Sequence, residues 1–556
     1  MTSPNPALVT QRAAQRLPRV ALILFCAAYV IPGLIGRDPW KNADISAFGH
    51  MVGIAEGRTP WLAPALAGLP SDAALLPYWL GAACIKLLGP WIDPAVAARL
   101  PFALLLVLVL AFTWYATYHL ARTDAAQPLP FAFGGEAQPI DYARAIADGA
   151  LLALVATLGL LQLGHETTPE LVQLAAAAIF LYGLAASPYR PPQAYTSVLL
   201  ALPAMAASGA PSLAVSLAIV GTIICVRSSY AAARQLVPWI IGGGALAAAL
   251  AFAIGAWGWR LSPSTTLAQV WGLARQLIWF TWPAWPLAMW TLWRWRSHWL
   301  HRHISIPLGC VLVPVIAGVA MGGSDRALML ALPALAVLAA FALPTLQRST
   351  SAAIDWFSVF FFTSCALAIW VIYVAMQTGW PAKPAANVAK LAPGFSSSFS
   401  AGALLFAALG TLAWLWLVHW RAGRNRHPLW KSLVLPAGGV ALCWLLLMTL
   451  WLPLLDYARS YRPLMQRIAQ HIPRDACIAA PGTPRALLAG LEYIGGYRVD
   501  AITPAEISPC EFLLVANAAP RNAGPPQDLW TFVVRLERPT DRGELTDIYR
   551  RATAPR

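Results

Sequence analysis

The sequence predicts a polytopic α-helical membrane protein with about thirteen transmembrane helices and a small soluble α/β domain at its C-terminal end. Three observations carry that prediction. Hydrophobic residues make up 58% of the 556 residues and charged residues only 11%, where soluble domains carry about 25% charged residues. So much apolar surface has to face lipid, because one globular core cannot hide it. Apolar runs long enough for a bilayer recur along most of the chain. After Leu455 the composition changes: residues 456–556 hold thirteen of the 39 Lys and Arg and a similar number of acids.

In order, the expected spans are Val20–Gly36, Ala98–Leu120, Ala145–Gly164, Leu171–Ala186, Tyr195–Ser208, Leu213–Val226, Leu236–Trp257, Leu277–Trp293, Ile304–Gly322, Ala327–Leu346, Trp356–Met376, Ser400–Trp420 and Leu433–Leu455. Each approaches the roughly 20 residues that a crossing helix needs. Tyr195–Ser208 and Leu213–Val226 are shorter and read as a helical hairpin. The first run has no small-x-small cleavage site and reads as a retained helix. Leu75–Leu88 is too short to span and reads as an interfacial or re-entrant helix.

Loop charge tests this count. With Arg12, Arg16 and Arg19 in the cytoplasm, thirteen spans put Arg122, Arg144, Arg190, Arg227, Arg234, Arg294, Arg296, Arg302, Arg348, Arg421, Arg424, Arg426 and Lys431 inside. Beyond the first loop, only Arg260, Arg275, Arg326, Lys383 and Lys390 fall outside. That asymmetry follows the positive-inside rule; counting Leu75–Leu88 as a span would break it. The transmembrane part is then 1–455, with a long first outer loop at 37–97, and 456–556 is an outer α/β domain. In the outer domain Leu464–His471 and Pro484–Ile494 read as helices. Cys477–Ala480, Tyr497–Ala501, Phe512–Ala516 and Trp530–Arg535 read as strands.

The net charge of +15 is scattered over short loops, so it orients helices and meets anionic membrane lipids rather than nucleic acid. The absence of a Walker motif excludes ATP-driven transport, and spans this poor in ionisable residues argue against a coupled transporter. No Gly-rich phosphate loop, Ser-His-Asp spacing, haem motif or zinc spacing is present.

The outer side carries few acids near the membrane. Asp38 and Asp44 lie in the first loop, His165, Glu166 and Glu170 before the fourth span, and Asp325 before the tenth. Two such acids over one cavity could hold a divalent metal, with His165 as a further ligand, or one could act as a base. They could equally be solvated loop acids. Arg58, Lys86, Arg99, Arg260 and Arg326 are outer cations placed to meet a lipid phosphate, or to snorkel at the interface. The first loop is framed by Trp40, Trp61 and Trp79, and its segment Asp44–Glu56 reads as a short amphipathic helix at the interface.

That loop also resembles a family. The run Asp44-Ile-Ser-Ala-Phe-Gly-His-Met-Val-Gly-Ile-Ala-Glu-Gly is followed by Trp61-Leu-Ala-Pro-Ala-Leu-Ala-Gly, then Tyr78-Trp79-Leu80, then Ala97-Ala-Arg-Leu-Pro101. In order and spacing it is similar to the start of the lipid-dependent GT-C membrane glycosyltransferases, especially the bacterial aminoarabinose transferases that modify lipid A and the protein O-mannosyltransferases. Asp325-Arg326 with Pro333 resembles the family's basic lead-in to a late span.

The resemblance implies a GT-C-like fold and a polyprenyl-phosphate-linked sugar donor. It implies a lipid A-like or other lipid or glycan acceptor, and catalytic roles for Asp44 and for Glu170, with Glu166 the alternative second acid. Two positions depart from the pattern. Ile45 stands where the family has Glu, and Ser71–Pro77 lacks the family's phosphate-binding Lys. Arg58 and Arg326, then Lys86 and Arg260, are the cations expected to replace it. The alternative is a non-catalytic relative that binds a lipid-linked sugar or scaffolds partners.

Six of the eight cysteines lie in apolar stretches. Cys477 and Cys510 lie in the outer domain, where an oxidising compartment and neighbouring strand ends favour a disulfide over two separate thiols.

Overall fold

Proline opens the helices of this chain. Pro94, Pro139, Pro169, Pro191 and Pro211 each sit in the first turn of a helix, where the missing N–H would have had no intrahelical partner. The computed structural model describes residues 6–71, 74–258, 266–423, 428–517 and 528–552. Among them, six helices are long and apolar enough to cross a membrane: Pro94–Ala121, Pro169–Ala186, Ala231–Ala253, Arg302–Ala320, Arg348–Thr378 and Ala401–Arg421. The pair Lys431–Leu447 and Leu452–Arg459, bent by 72° at its break, is a broken span, which would be the seventh, or a re-entrant segment. The chain is thus a multi-pass membrane protein. Pro169–Ala186 is its centre, with 78% of its apolar window buried, and Ala401–Arg421 its periphery, with 11%.

All thirteen expected segments contain helix, but not all as one rod. Arg19–Val30, Pro211–Val226 and Leu332–Thr345 are apolar but short. Ala145–Gly164 is broken at Thr157 into Pro139–Ala156 and Leu158–Leu163. Leu277–Trp293 is broken at Thr281–Pro283 into Leu267–Phe280 and Ala284–Arg294. The two breaks meet: the Leu158 N–H donates to the Trp282 carbonyl at 3.1 Å. Backbone groups freed by one break are satisfied by the other, the condition for non-helical backbone inside an apolar bundle. Polar ties cross the bundle too. Asp148 accepts from the Leu17 N–H and the Trp114 indole, both at 2.8 Å, and Arg421 pairs with Asp355.

Leu75–Leu88 is a helix with the expected bounds. The helix expected at Asp44–Glu56 spans Ala43–Ala55, but it is no surface amphipath. Asp44, Ile45 and every residue from Ala47 to Ile54 are buried, because Leu75–Leu88 packs on one side and the helical segment 485–494 of the C-terminal domain covers the side that a lone interfacial helix would expose. Between these helices a small hairpin pairs β1 (Ala65–Leu66) with β2 (Leu69–Pro70). Its two turn residues, Ala67 (φ 50°) and Gly68 (φ 84°), are both left-handed, the geometry of a type I′ turn.

The C-terminal sheet has β3 (Cys477–Ala479), β4 (Arg498–Asp500), β5 (Phe512–Ala516), β6 (Trp530–Arg538) and β7 (Asp541–Arg551), in the order β4-β3-β5-β7-β6. β3 runs parallel to β4 and β5, while β5–β7 and β7–β6 are antiparallel. Cys477 is disulfide-bonded to Cys510, Cα atoms 4.9 Å apart, at neighbouring strand ends.

The sheet is docked on the first loop. Ile45, Leu66 and Ala67 share an apolar cluster with Tyr461, Leu464, Leu487, Leu488 and Phe512. Glu492 accepts from the Ala67 N–H at 3.0 Å, and the Ala501 N–H donates to the Ala67 carbonyl at 3.1 Å. These bonds hold Ala67 in a conformation that costs a non-glycine residue free energy. Arg462 grips Asp38 with two N–H groups at 2.6 and 2.8 Å, and Lys41 meets Asp541 at 3.0 Å.

Candidate functional site

Asp44 stands in the first turn of Ala43–Ala55, where the helix dipole favours an anion. Its Oδ2 accepts from Arg37 Nη1 at 3.1 Å and from the Trp40 N–H at 3.0 Å. Its Oδ1 accepts from the N–H and the hydroxyl of Thr167, both at 2.8 Å. The residue is 1% exposed. Burial pushes its carboxyl up, but the Arg37 and Arg99 charges and the Thr167 and Trp40 N–H groups outweigh that and hold it below the ordinary carboxylate range. Asp44 is therefore an ionised acid with every lone pair engaged.

Arg37 is engaged too. It donates to the Gly33 carbonyl at 2.8 Å and the His165 carbonyl at 2.6 Å. Its guanidinium lies 4.6 Å from the centre of the Trp40 ring, and that of Arg459 lies 5.2 Å from the same centre.

One residue before Thr167 the chemistry changes. Glu166 is 4% exposed. It accepts from Gln162 Nε2 at 2.8 Å and from Arg326 Nη2 at 2.6 Å. Burial raises its pKa and the Asp44 charge raises it further; Arg326 and Gln162 pull it down without cancelling the rise. Arg326 forks, its Nη1 reaching Glu170 Oε2 at 3.2 Å. Glu166 is thus a carboxylate whose affinity for a proton is raised by burial, with lone pairs to spare.

His165 packs on Trp444, ring centroids 4.5 Å apart. Its Nδ1 and Nε2 lie 2.7 and 2.8 Å from the Leu161 and Tyr29 carbonyls. Burial lowers its pKa to about 4, with Arg37 adding to the fall and the two carbonyls opposing it. With both nitrogens against carbonyls, neither is open to a metal. Among the described residues no three His, Cys, Asp or Glu side chains are grouped to hold one.

The structure therefore brings together Asp44, His165, Glu166, Glu170 and Arg326, from two loops and the short helix Asp325–Met329. It does not bring Arg58 or Lys86 to them. Arg58 lies at the far end of Ala43–Ala55, its N–H bonded to the Gly53 carbonyl, about 15 Å along the helix from Asp44 at 1.5 Å per residue. Its guanidinium is already paired with Glu56 at 2.7 Å and Glu492 at 2.8 Å. Arg58 and Lys86 line a separate cavity of about 570 Å³ with Thr59 and Trp61. Arg260 lies outside the described residues.

Sequence reasoning missed Arg37, Trp40, Thr167 and Arg459. The crowding of charged residues and Trp between Arg37 and Asp44 was the available signal for the first two. Nothing in the local sequence marks Thr167 or Arg459.

No family model matches the chain, and no curated protein matches it by sequence. Two solved structures do match in shape. One is ArnT from Cupriavidus metallidurans in the apo state: TM-score 0.58, 14% identity, covering 95% of this chain and 96% of that one. The other is ArnT from the same organism bound to undecaprenyl phosphate: TM-score 0.56, 15% identity, again covering 95% and 96%. At this identity the likeness is one of fold, and it runs from the first helix to the C-terminal sheet: the chain has an ArnT-like fold.

Proposed function

We propose that this chain is an integral-membrane glycosyltransferase of GT-C type, moving a sugar from a polyprenyl-phosphate donor to a lipid A-like or other periplasm-facing acceptor. The observation that carries the reading is Glu166: a buried carboxylate of raised pKa beside Arg326 and Glu170, in a chain whose fold matches a protein that binds undecaprenyl phosphate. The resemblance of the first loop to the GT-C family points the same way. In this reading the N-terminus is cytoplasmic, residues 1–455 form the membrane part, and residues 456–556 form a periplasmic domain of the inner-membrane protein.

The chemistry divides among the groups as follows. Glu166 takes the proton of the acceptor hydroxyl as its oxygen bonds to the anomeric carbon. The bond from that carbon to the phosphate oxygen breaks, and the polyprenyl phosphate leaves with the electron pair, its charge met by an arginine. Glu170 holds Arg326 in place. Asp44, with its lone pairs used, organises Arg37, Trp40 and Thr167 rather than moving a proton.

Ile45 bears on the alternative of a non-catalytic relative. It is fully buried in the cluster beneath the sheet, so an acid missing at this position takes nothing from the surroundings of Glu166.

The test is transfer in proteoliposomes holding polyprenyl-phosphate sugars and lipid A, read by mass spectrometry of the acceptor. The wild type should form a glycosylated lipid. Tight binding of undecaprenyl phosphate with no transfer from any donor would favour the non-catalytic reading.

A further inference from the structure

The arginines around Glu166 are not equally occupied. Arg37 spends its donors on Gly33, Asp44 and His165, and Arg326 on Glu166 and Glu170. Arg459 donates to nothing: among the described residues its guanidinium has no hydrogen bond and no ion pair, and only the Trp40 ring meets it. Its backbone, in contrast, is fixed from three sides. The Lys41 N–H donates to the Arg459 carbonyl at 2.8 Å. Arg538, 1% exposed, clasps the carbonyls on either side, Ala458 at 3.0 Å and Ser460 at 2.9 Å, and Thr540 adds a bond to Ala458 at 3.1 Å.

A half-buried guanidinium with no protein acceptor keeps its donors free for an acceptor from outside the chain. Arg37 on the same ring adds repulsion, and Glu166 is the acid whose charge reaches Arg459. Arg99 repeats the pattern, for its Nη2 is buried without a partner, and its charge acts on Asp44. Both guanidiniums act on the same acid cluster and both keep donors spare, as an anion from outside the chain would require.

We infer that Arg459 is a phosphate-binding residue that meets the phosphate of the lipid-linked donor. The inference rests on the reading under "Proposed function". A planar fork of N–H donors matches two phosphate oxygens, and a free cation in the site can meet the charge that develops on the departing phosphate. A phosphate on the acceptor lipid offers the same chemistry, and the lipid A arm of the experiment tells the two apart.

The experiment titrates full-length protein in nanodiscs with undecaprenyl phosphate, with undecaprenol and with lipid A, for wild type, Arg459→Gln and Arg459→Lys. Arg459→Gln should weaken undecaprenyl phosphate about ten-fold, the loss expected of a hydrogen bond to a charged group. Undecaprenol and lipid A should bind as before, and Arg459→Lys should fall between. Wild-type affinity of Arg459→Gln for undecaprenyl phosphate overturns the assignment, as does a loss confined to lipid A. A wild-type protein that does not distinguish the phosphate from the alcohol overturns the donor reading itself. Should Arg459→Gln fail to fold, a wild-type affinity in Arg459→Lys, which keeps the charge but loses the fork, rejects the bidentate contact.

Discussion

The surroundings of Asp44 and of Glu166 adjoin through Thr167, yet they treat a carboxylate in opposite ways. Asp44 receives four hydrogen bonds, from Arg37, Trp40 and twice from Thr167, and its pKa is lowered. Glu166 receives two, from Gln162 and Arg326, and its pKa is raised. The difference separates their basicities. A fully bonded anion holds a proton weakly, whereas a buried, partly bonded one gains more by taking it. Sequence position favoured Asp44; the bonding favours Glu166.

The largest expected effect breaks or keeps that contrast directly. Glu166→Gln should slow transfer by about 10²–10⁴-fold, the usual contribution of a general base, with donor affinity retained. The pH profile follows from the raised pKa: activity should be lost as pH falls through a value above the ordinary glutamate pKa of about 4.3, and should level off above it. A Glu166→Gln enzyme with near-normal turnover would move the base elsewhere, with Glu170 next to be tried.

Asp44→Asn should act on stability first. It leaves Arg37, 7% exposed, without its counter-charge, and breaking a buried pair costs about 3–5 kcal/mol. The sign with pH is fixed by the lowered carboxyl. Its contribution is complete above the unfolded value of about 3.9 and is lost as pH falls towards the lower folded value. The gap between wild type and variant in thermal unfolding in detergent should therefore be full at neutral pH and shrink below about pH 4. A variant of normal stability that has lost transfer would restore Asp44 as the catalytic acid.

What could be read from the sequence follows the length of the signal. Apolar runs such as Ser400–Trp420 gave their helices almost to the residue, as Ala401–Ala422, because lipid leaves the backbone no other solution. Breaks were invisible. Thr157 and Thr281–Pro283 interrupt apolar runs, and their backbone groups are satisfied by local turn bonds and by the one bond between the breaks. In the C-terminal domain Phe512–Ala516 was legible as a strand from its apolar run, but Asp541–Arg551 was not. That strand reads Asp-Arg-Gly-Glu-Leu-Thr-Asp-Ile-Tyr-Arg-Arg, and its place is set by pairing with β5 and β6 rather than by periodicity. The site was half legible for the same reason. Asp44, Glu166, Glu170 and Arg326 could be named, but which acid is saturated depends on Thr167, which meets Asp44 across 123 residues of sequence that spacing does not encode.

The sheet domain supplies the next, smaller test. The Cys477–Cys510 bridge closes a separation of 33 residues, worth about 3–4 kcal/mol to the domain by loop closure. Cys510→Ser should lower the unfolding temperature of the sheet and loosen the first loop docked on it, Asp38 and Lys41 included, while Glu166 and Arg326 stay paired. Alkylation of unreduced protein, followed by mass spectrometry, should leave both cysteines unlabelled. Recovery of both as alkylated thiols would reject the bridge and would weaken the periplasmic assignment of the domain.

The smallest effect belongs to Arg58, and it sharpens the contrast from the other end of Ala43–Ala55. Its side chain is 40% exposed and bonded to Glu56 and Glu492, themselves 55% and 13% exposed, so solvent screens much of the attraction. Exposed pairs contribute about 0–1 kcal/mol. Glu492 would keep its bond to the Ala67 N–H, so Arg58→Gln leaves the hairpin anchored and no buried charge unpaired. Unfolding should shift by at most about 1 kcal/mol, and undecaprenyl phosphate affinity should be unchanged, since Arg58 lies about 15 Å along the helix from Asp44. A loss of donor affinity in Arg58→Gln comparable to that in Arg459→Gln would mean that the donor phosphate sits in the Arg58–Lys86 cavity. The separation between a structural end and a chemical end of this helix would then fail.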